Sequence, residues 1–232
     1  MAQRSFVVRV PCTSSNIGPG FDVLGLSLSM YLELHVEIDA SRTEQTAPQL
    51  RYSGQGADDA PLDPYQNLIT RVALYVLRVN GASQFPVGVS IHVKNDIPFG
   101  RGLGSSGAAV VAGLLLGNEL GELHIPRDRL LDYALMIERH PDNVTAALIG
   151  GFVGSYLLEL SGKDAETTPS GESAARPANI RVENRILPAG PTFTDMIANA
   201  AFFELFKGFG RVLVIGETIS ERVAEELLSL QR

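Results

Sequence analysis

The stretch Pro98-Phe99-Gly100-Arg101-Gly102-Leu103-Gly104-Ser105-Ser106-Gly107-Ala108-Ala109 holds the residue types best suited to chemistry. Its glycines clear side chains from the approach, and Ser105 and Ser106 offer hydroxyls to phosphate oxygens or a phosphate-bound metal. A helix-like run follows it. The first N–H groups of a helix have no internal partner and carry a partial charge of about +0.5, so anions bind there. The plainer alternative is a strand-to-helix turn with Ser105 as N-cap. The crowding of Gly, Ser and Ala goes beyond what a cap requires.

Four further groups of side chains are candidates. Glu138 falls on the same helical stripe as Leu131, Ala134 and Leu135, where a carboxylate is costly unless paired or metal-bound. The helix could instead fray there, or Glu138 could pair with Arg139. A phosphate site calls for Mg²⁺, and glutamate is a hard oxygen ligand, which favours the metal. His140 and Asn143, in His140-Pro141-Asp142-Asn143, could bind substrate, or simply end one helix and cap the next. Asn16 and Asp22 are the best ligand candidates of the loop Pro11 to Asp22, although such residues also form Asx-turns. Neither a Cys/His zinc spacing nor a G-x-S-x-G elbow is present.

The elements that must position these groups follow from periodicity. Phe6, Val8 and Val10 alternate as a strand, and Leu32 to Ile38 returns as an antiparallel-type strand with one wet face. A short strand is expected near Leu50 to Tyr52. Asn67 to Val79 reads as an amphipathic helix with Leu68, Val72, Tyr75, Val76 and Val79 on its apolar stripe, closed by Gly81 at C′. Val87 to Val93 gives a period-two strand into the glycine stretch, and Ala108 to Leu116 a helix out of it. Ala108, Ala109, Ala112 and Gly113 leave little bulk on part of that helix, so it can lie close to a neighbour. Pro126 can open a further helix in its first turn.

The 232 residues suit one large domain or one and a half smaller ones. Hydrophobic content of 45% with 19% charged residues is globular rather than disordered composition. The net charge of -7, without a Lys/Arg block, argues against a nucleic-acid partner. Cys12 is alone, as expected of a reducing cytosol. With neither a signal-like start nor a membrane-length apolar run, the expectation is a cytoplasmic protein with no membrane partner. Residues 161–188 read as a linker or disordered loop, followed by helix-like Thr194 to Phe206, strand-like Arg211 to Ile215 and helix-like Ser220 to Leu230.

Pro98 to Ala108 matches the signature Pro-x-x-x-Gly-Leu-Gly-Ser-Ser-Gly/Ala-Ala, and the chain thereby resembles the GHMP kinases. Val8 to Gly25, with Pro11-Cys12-Thr13-Ser14-Ser15-Asn16-Ile17-Gly18-Pro19-Gly20-Phe21-Asp22 at its centre, is similar to the N-terminal signature of the homoserine kinases. Glu138-Arg139-His140-Pro141-Asp142-Asn143-Val144 with Gly150-Gly151-Phe152 is similar to their later motif, especially in fungal forms.

The resemblance implies an α+β fold. Residues 4–160 would form a GHMP kinase N-terminal, ATP-binding domain, like domain 2 of ribosomal protein S5. Residues 189–232 would be a truncated, ferredoxin-like C-terminal remnant. It implies ATP-dependent phosphorylation of the L-homoserine hydroxyl, with ATP and Mg²⁺ required and a homodimer possible. In the nucleotide site, Pro98, Gly100, Arg101, Gly102, Leu103, Gly104, Ser105 and Ser106 would wrap the phosphates, and Asn67 would face the adenine. Ser106 and Glu138 would lie near Mg²⁺, while Asn16, Asp22, His140 and Asn143 would hold homoserine. Ser106, Glu138 and Asn143 would be the catalytic set. Ala189-Gly190-Pro191-Thr192 keeps only the end of the family's third motif, and Arg176, Arg181 and Arg185 match no motif for the substrate carboxylate. A non-catalytic nucleotide-binding fragment is therefore an alternative. Gly102-x-Gly104-x-x-Gly107 also fits a dinucleotide fingerprint, but Pro98 to Arg101 lengthen the loop, and Asp128 begins a helix instead of closing a strand.

Overall fold

The computed structural model describes residues 4–17 and 21–155, together with the backbone of 185–186. The expected linker, apart from Arg185–Ile186, and the expected C-terminal elements lie outside the described residues. In chain order the elements are β1 (Arg4–Ser15), β2 (Leu24–Ile38), β3 (Gln49–Gly54), α1 (Leu68–Val79), β4 (Val89–Asn95), α2 (Ser105–Leu120), α3 (Arg127–Glu138), α4 (Pro141–Ile149), β5 (Phe152–Gly154) and β6 (Arg185–Ile186). The strands form one sheet ordered β3-β4-β2-β5-β6, with β1 also paired to β2. Among the described strands all pairings are antiparallel except β3 with β4. The fold is α+β, as expected.

Alternation explains the layering. Val8 and Val10 of β1, Leu32, Leu34 and Val36 of β2, and Val89, Ile91 and Val93 of β4 are buried in one core with α1, α2 and α3. The opposite face is polar: Arg9 Nε lies 3.1 Å from Glu33 Oε1, and the rings of His35 and His92, neighbours across β2 and β4, stand 6.3 Å apart.

Between its polar ends helix α2 is apolar on every side, with Gly107 to Gly117 almost wholly buried, which suits a central position. A Cβ on Gly113 would come within 2.7 Å of Val72 Cβ, and one on Gly117 within 2.9 Å of Val76 Cβ, so α1 lies directly against both glycines. The expected close neighbour is therefore α1, and Gly117 extends the contact by one turn.

Several boundaries differ from the sequence expectation. β1 does not stop at Pro11 but runs on to Ser15, so the loop after it is shorter. The register slips between Pro11, opposite Tyr31, and Cys12, opposite Leu28; this irregularity accommodates a proline within the ladder. Leu68 is exposed, because the buried stripe of α1 runs through Ile69, Val72, Ala73, Val76 and Leu77. Pro126 occupies the cap of α3 and not its first turn. After β4 and α2 come α3, α4 and an antiparallel strand, so the βαβ unit of a dinucleotide fingerprint does not form.

Candidate active site

β4 delivers the chain to the glycine stretch through Asn95, whose buried side chain ties the turn together. Asn95 Oδ1 accepts from Ile97 N at 3.0 Å, and Nδ2 donates to Ile97 O and Gln55 O, each at 2.9 Å. Beyond it Gly100, Gly102 and Gly104 adopt positive φ of 66°, 71° and 61°, alternating with residues that do not. Such alternation turns successive N–H groups towards one side, as in an anion nest. Gly104 occupies the cap of α2, among the described residues no side chain caps that end, and the first intrahelical bond is Ala108 N to Gly104 O at 2.8 Å. Ser105 is thus the first helical residue and not its cap. The leading N–H groups of α2 are left to an outside partner.

Helix α3 ends beside this turn. Glu138 is its last residue, half-buried, and its Oε1 accepts from Ser106 Oγ at 2.7 Å. The alternatives of a frayed end and an Arg139 partner give way to a contact with the glycine stretch. Two hard oxygen donors, one of them a carboxylate and both reachable from solvent, suit Mg²⁺. Among the described residues no group of three or more His, Cys, Asp or Glu side chains could hold a metal. A cation between Ser106 and Glu138 would therefore draw its remaining ligands from phosphate and water.

Alongside the start of α2, a cavity of about 280 Å³ is lined by Tyr52, Asn67, Phe99, Ser105, Ser106 and Ala109, among others. Asn67 is buried and fully engaged. Its Oδ1 caps α1 by accepting from Ile69 N and Thr70 N, and its Nδ2 donates to Tyr52 Oη at 2.6 Å and Pro61 O at 3.0 Å. Burial pushes the Tyr52 phenol up, with the Asn67 bond pulling against it, so the ring stays neutral at physiological pH. Asn67 thus shapes the cavity wall, its side-chain atoms already spent on protein partners.

On the other side of the glycine stretch a chain of hydrogen bonds joins the end of β1 to α4. Thr13 Oγ1 donates to Asn143 Oδ1 at 2.7 Å, and Asn143 Nδ2 donates to Ser15 Oγ at 2.8 Å. Ser15 Oγ also accepts from Asn16 Nδ2 at 3.2 Å, and Asn16 Oδ1 accepts from Asp22 N at 2.9 Å. Asn16 and Asp22 both hold positive φ and are exposed. Three of the four expected acceptor-side residues are so linked. His140, the fourth, is exposed at the cap of α4, three positions before Asn143. Gly104 and Gly107 bring the two sides together: a Cβ on Gly107 would meet Asn143 Cβ at 3.1 Å, and one on Gly104 would strike Thr13 Oγ1 and Asn143 Oδ1.

Thr13, Ser15, Tyr52 and Asn95 were not singled out by sequence. The first two share a face only once β1 is known to continue past Pro11. The i, i+2 spacing of their hydroxyls was the available signal.

The GHMP kinases N terminal domain matches residues 67–151. The homoserine kinase of Candida albicans is 55% identical over 171 residues, covering 72% of this chain and 47% of that protein. The homoserine kinase of Streptomyces coelicolor is 34% identical over 224 residues, covering 93% of this chain and 67% of its own. The chain belongs to the homoserine kinase family of GHMP kinases. A crystal structure of homoserine kinase from Cytophaga hutchinsonii superposes with a TM-score of 0.55 at 24% identity, over 84% of this chain and 63% of that one, and shares the family fold. Against fungal homoserine kinases this chain spans about half their length: 47%, 56% and 46% of three of them.

Proposed function

We propose that this chain transfers the terminal phosphoryl group of ATP to the side-chain hydroxyl of L-homoserine, giving O-phospho-L-homoserine and ADP, a step towards threonine. The observation that carries the proposal is the uncapped start of α2, with Ser106 and Glu138 in contact across it and the 280 Å³ cavity alongside. Names borne by relatives at 50–55% identity supply the acceptor. Residues 4–160 would be the ATP-binding domain, acting in the cytoplasm.

In this reading Pro98, Gly100, Arg101, Gly102, Leu103, Gly104, Ser105 and Ser106 wrap the phosphates. Their donors are the N–H groups of the glycine turn and of the first turn of α2. Mg²⁺ held by Ser106 and Glu138 would neutralise phosphate charge. Asn16, Asp22, His140 and Asn143 hold the acceptor. Phosphoryl transfer depends mainly on alignment and charge stabilisation. The bond from the terminal phosphorus to the ADP oxygen breaks as that from phosphorus to the homoserine oxygen forms. An amide at 143 cannot take up the hydroxyl proton, which leaves late, to the transferred phosphate. A many-fold gain in turnover in Asn143→Asp, with an ordinary pH optimum, would contradict that order of events.

A second reading, a nucleotide-binding fragment without turnover, is favoured by one observation, the coverage of only about half of the fungal relatives. Phosphorus NMR of ATP incubated with purified residues 1–232 separates the two. A phosphomonoester resonance that requires L-homoserine, and does not arise with mevalonate or galactose, supports the kinase. Nucleotide binding with no such resonance supports the fragment.

A further inference from the structure

Thr13 is fully buried on β1, yet its hydroxyl reaches the acceptor side, donating to Asn143 Oδ1 at 2.7 Å. Ser15, two residues along the same face, accepts from Asn143 Nδ2 at 2.8 Å. One amide is therefore bound at both ends by one strand. The terminal torsion of asparagine is broad and roughly two-fold, so an amide held at one end can turn. Held at both ends, it turns only by breaking two hydrogen bonds.

Thr13 also touches the glycine stretch. Its N–H donates to Leu103 O at 3.1 Å, and its Oγ1 sits where a Cβ on Gly104 would have to go. Backbone and hydroxyl of the same residue thus join the phosphate loop to Asn143. As a β-branched residue in a strand, Thr13 has restricted χ1, which keeps its hydroxyl aimed. Ser15 Oγ accepts from both Asn143 and Asn16, which occupies its two lone pairs and leaves its own proton to donate outward.

We propose that Thr13 is a positioning residue that fixes the Asn143 amide in register with the phosphate loop, with Ser15 holding the amide's other end. The proposal rests on reading the site as one of phosphoryl transfer to an alcohol. In-line transfer requires the acceptor oxygen and the terminal phosphate to be held on one line, and a misplacement of about 1 Å costs on the order of 100-fold in rate.

The test uses the full chain with Thr13→Val, which keeps shape and the backbone bond but removes the hydroxyl, and Thr13→Ser, which keeps the hydroxyl. The Asn143 side-chain amide is followed by NMR, assigned through its disappearance in Asn143→Ala. In wild type and Thr13→Ser this amide is slow to exchange; in Thr13→Val it exchanges at least about tenfold faster while the backbone spectrum stays folded. Thr13→Val also lowers kcat by about 100-fold, leaves KM for ATP within about twofold because the phosphate-loop backbone bond survives, and adds no further loss on top of Asn143→Ala. Full amide protection or wild-type kcat in Thr13→Val overturns the proposal. If wild type phosphorylates no L-homoserine, the kinase reading falls, and amide exchange alone still decides the clamp. Should Thr13→Val fail to fold, Ser15→Ala submits the other end of the amide to the same exchange measurement, with the same two outcomes.

Discussion

Ser106 Oγ and Glu138 Oε1 lie 2.7 Å apart although 32 residues of chain separate them. The contact joins the second residue of α2 to the last residue of α3. It places a carboxylate at a helix start where phosphate would otherwise be the natural occupant. A carboxylate facing phosphates is repelled unless a cation stands between them, which supports the proposal that this pair holds a metal.

Glu138→Gln keeps the size and the oxygen facing Ser106 but removes the charge. Turnover with L-homoserine should fall by about 100-fold or more. The Mg²⁺ dependence of nucleotide binding, followed by titration calorimetry, should be lost. Thermal stability should hardly move, because the bond lies in solvent reach.

The glycines of the turn before α2 should not be equivalent. At Gly100 and Gly102 an added Cβ meets nothing within 4 Å among the described residues, so alanine costs chiefly the left-handed backbone, about 1–2 kcal/mol. At Gly104 it also strikes Thr13 and Asn143. Denaturant midpoints should rank Gly104→Ala well below Gly100→Ala, and Gly104→Ala alone should also abolish nucleotide binding.

Asn67→Ala removes the cap of α1 and leaves Tyr52 Oη and Pro61 O without their donor. The expected loss is about 2–3 kcal/mol, a cap plus stranded polar groups. Asn67→Asp retains the capping oxygen but not the donors, so urea denaturation should give an intermediate value.

Burial pushes the Asp132 carboxyl above its usual range; Asp128 adds to this, while the neighbouring Arg129 guanidinium opposes it. The folded protein then holds the proton more tightly than the unfolded chain. This contribution to stability is present at low pH and is lost as pH rises from about 4 through the folded value. In Asp132→Asn the contribution is removed. Chemical denaturation of both proteins between pH 4 and pH 7 should show the variant gaining on wild type as pH rises.

The glycine turn was legible in the sequence because its cause is local: strand, glycines and helix start follow one another within about 30 residues. Glu138 was legible by periodicity, since a carboxylate on an apolar stripe asks for a partner, although its partner Ser106 comes from the fold. The role of Asn67 was only half legible. Its place at a helix start could be read, but its donors go to Tyr52 and Pro61, which the sheet and loop bring to it. Thr13 and Ser15 were hidden for two reasons. Pro11 suggested that the strand had ended, and the bond from Thr13 to Asn143 spans 130 residues, a distance that no local pattern encodes.

The proposed transfer from ATP to L-homoserine is tested most directly by ADP release from purified residues 1–232 with ATP and Mg²⁺, measured with L-homoserine present and with the acceptor omitted. Such a transfer gives release that requires L-homoserine and is lost in Glu138→Gln. Release independent of L-homoserine, or no release from a folded chain that binds ATP, would contradict it.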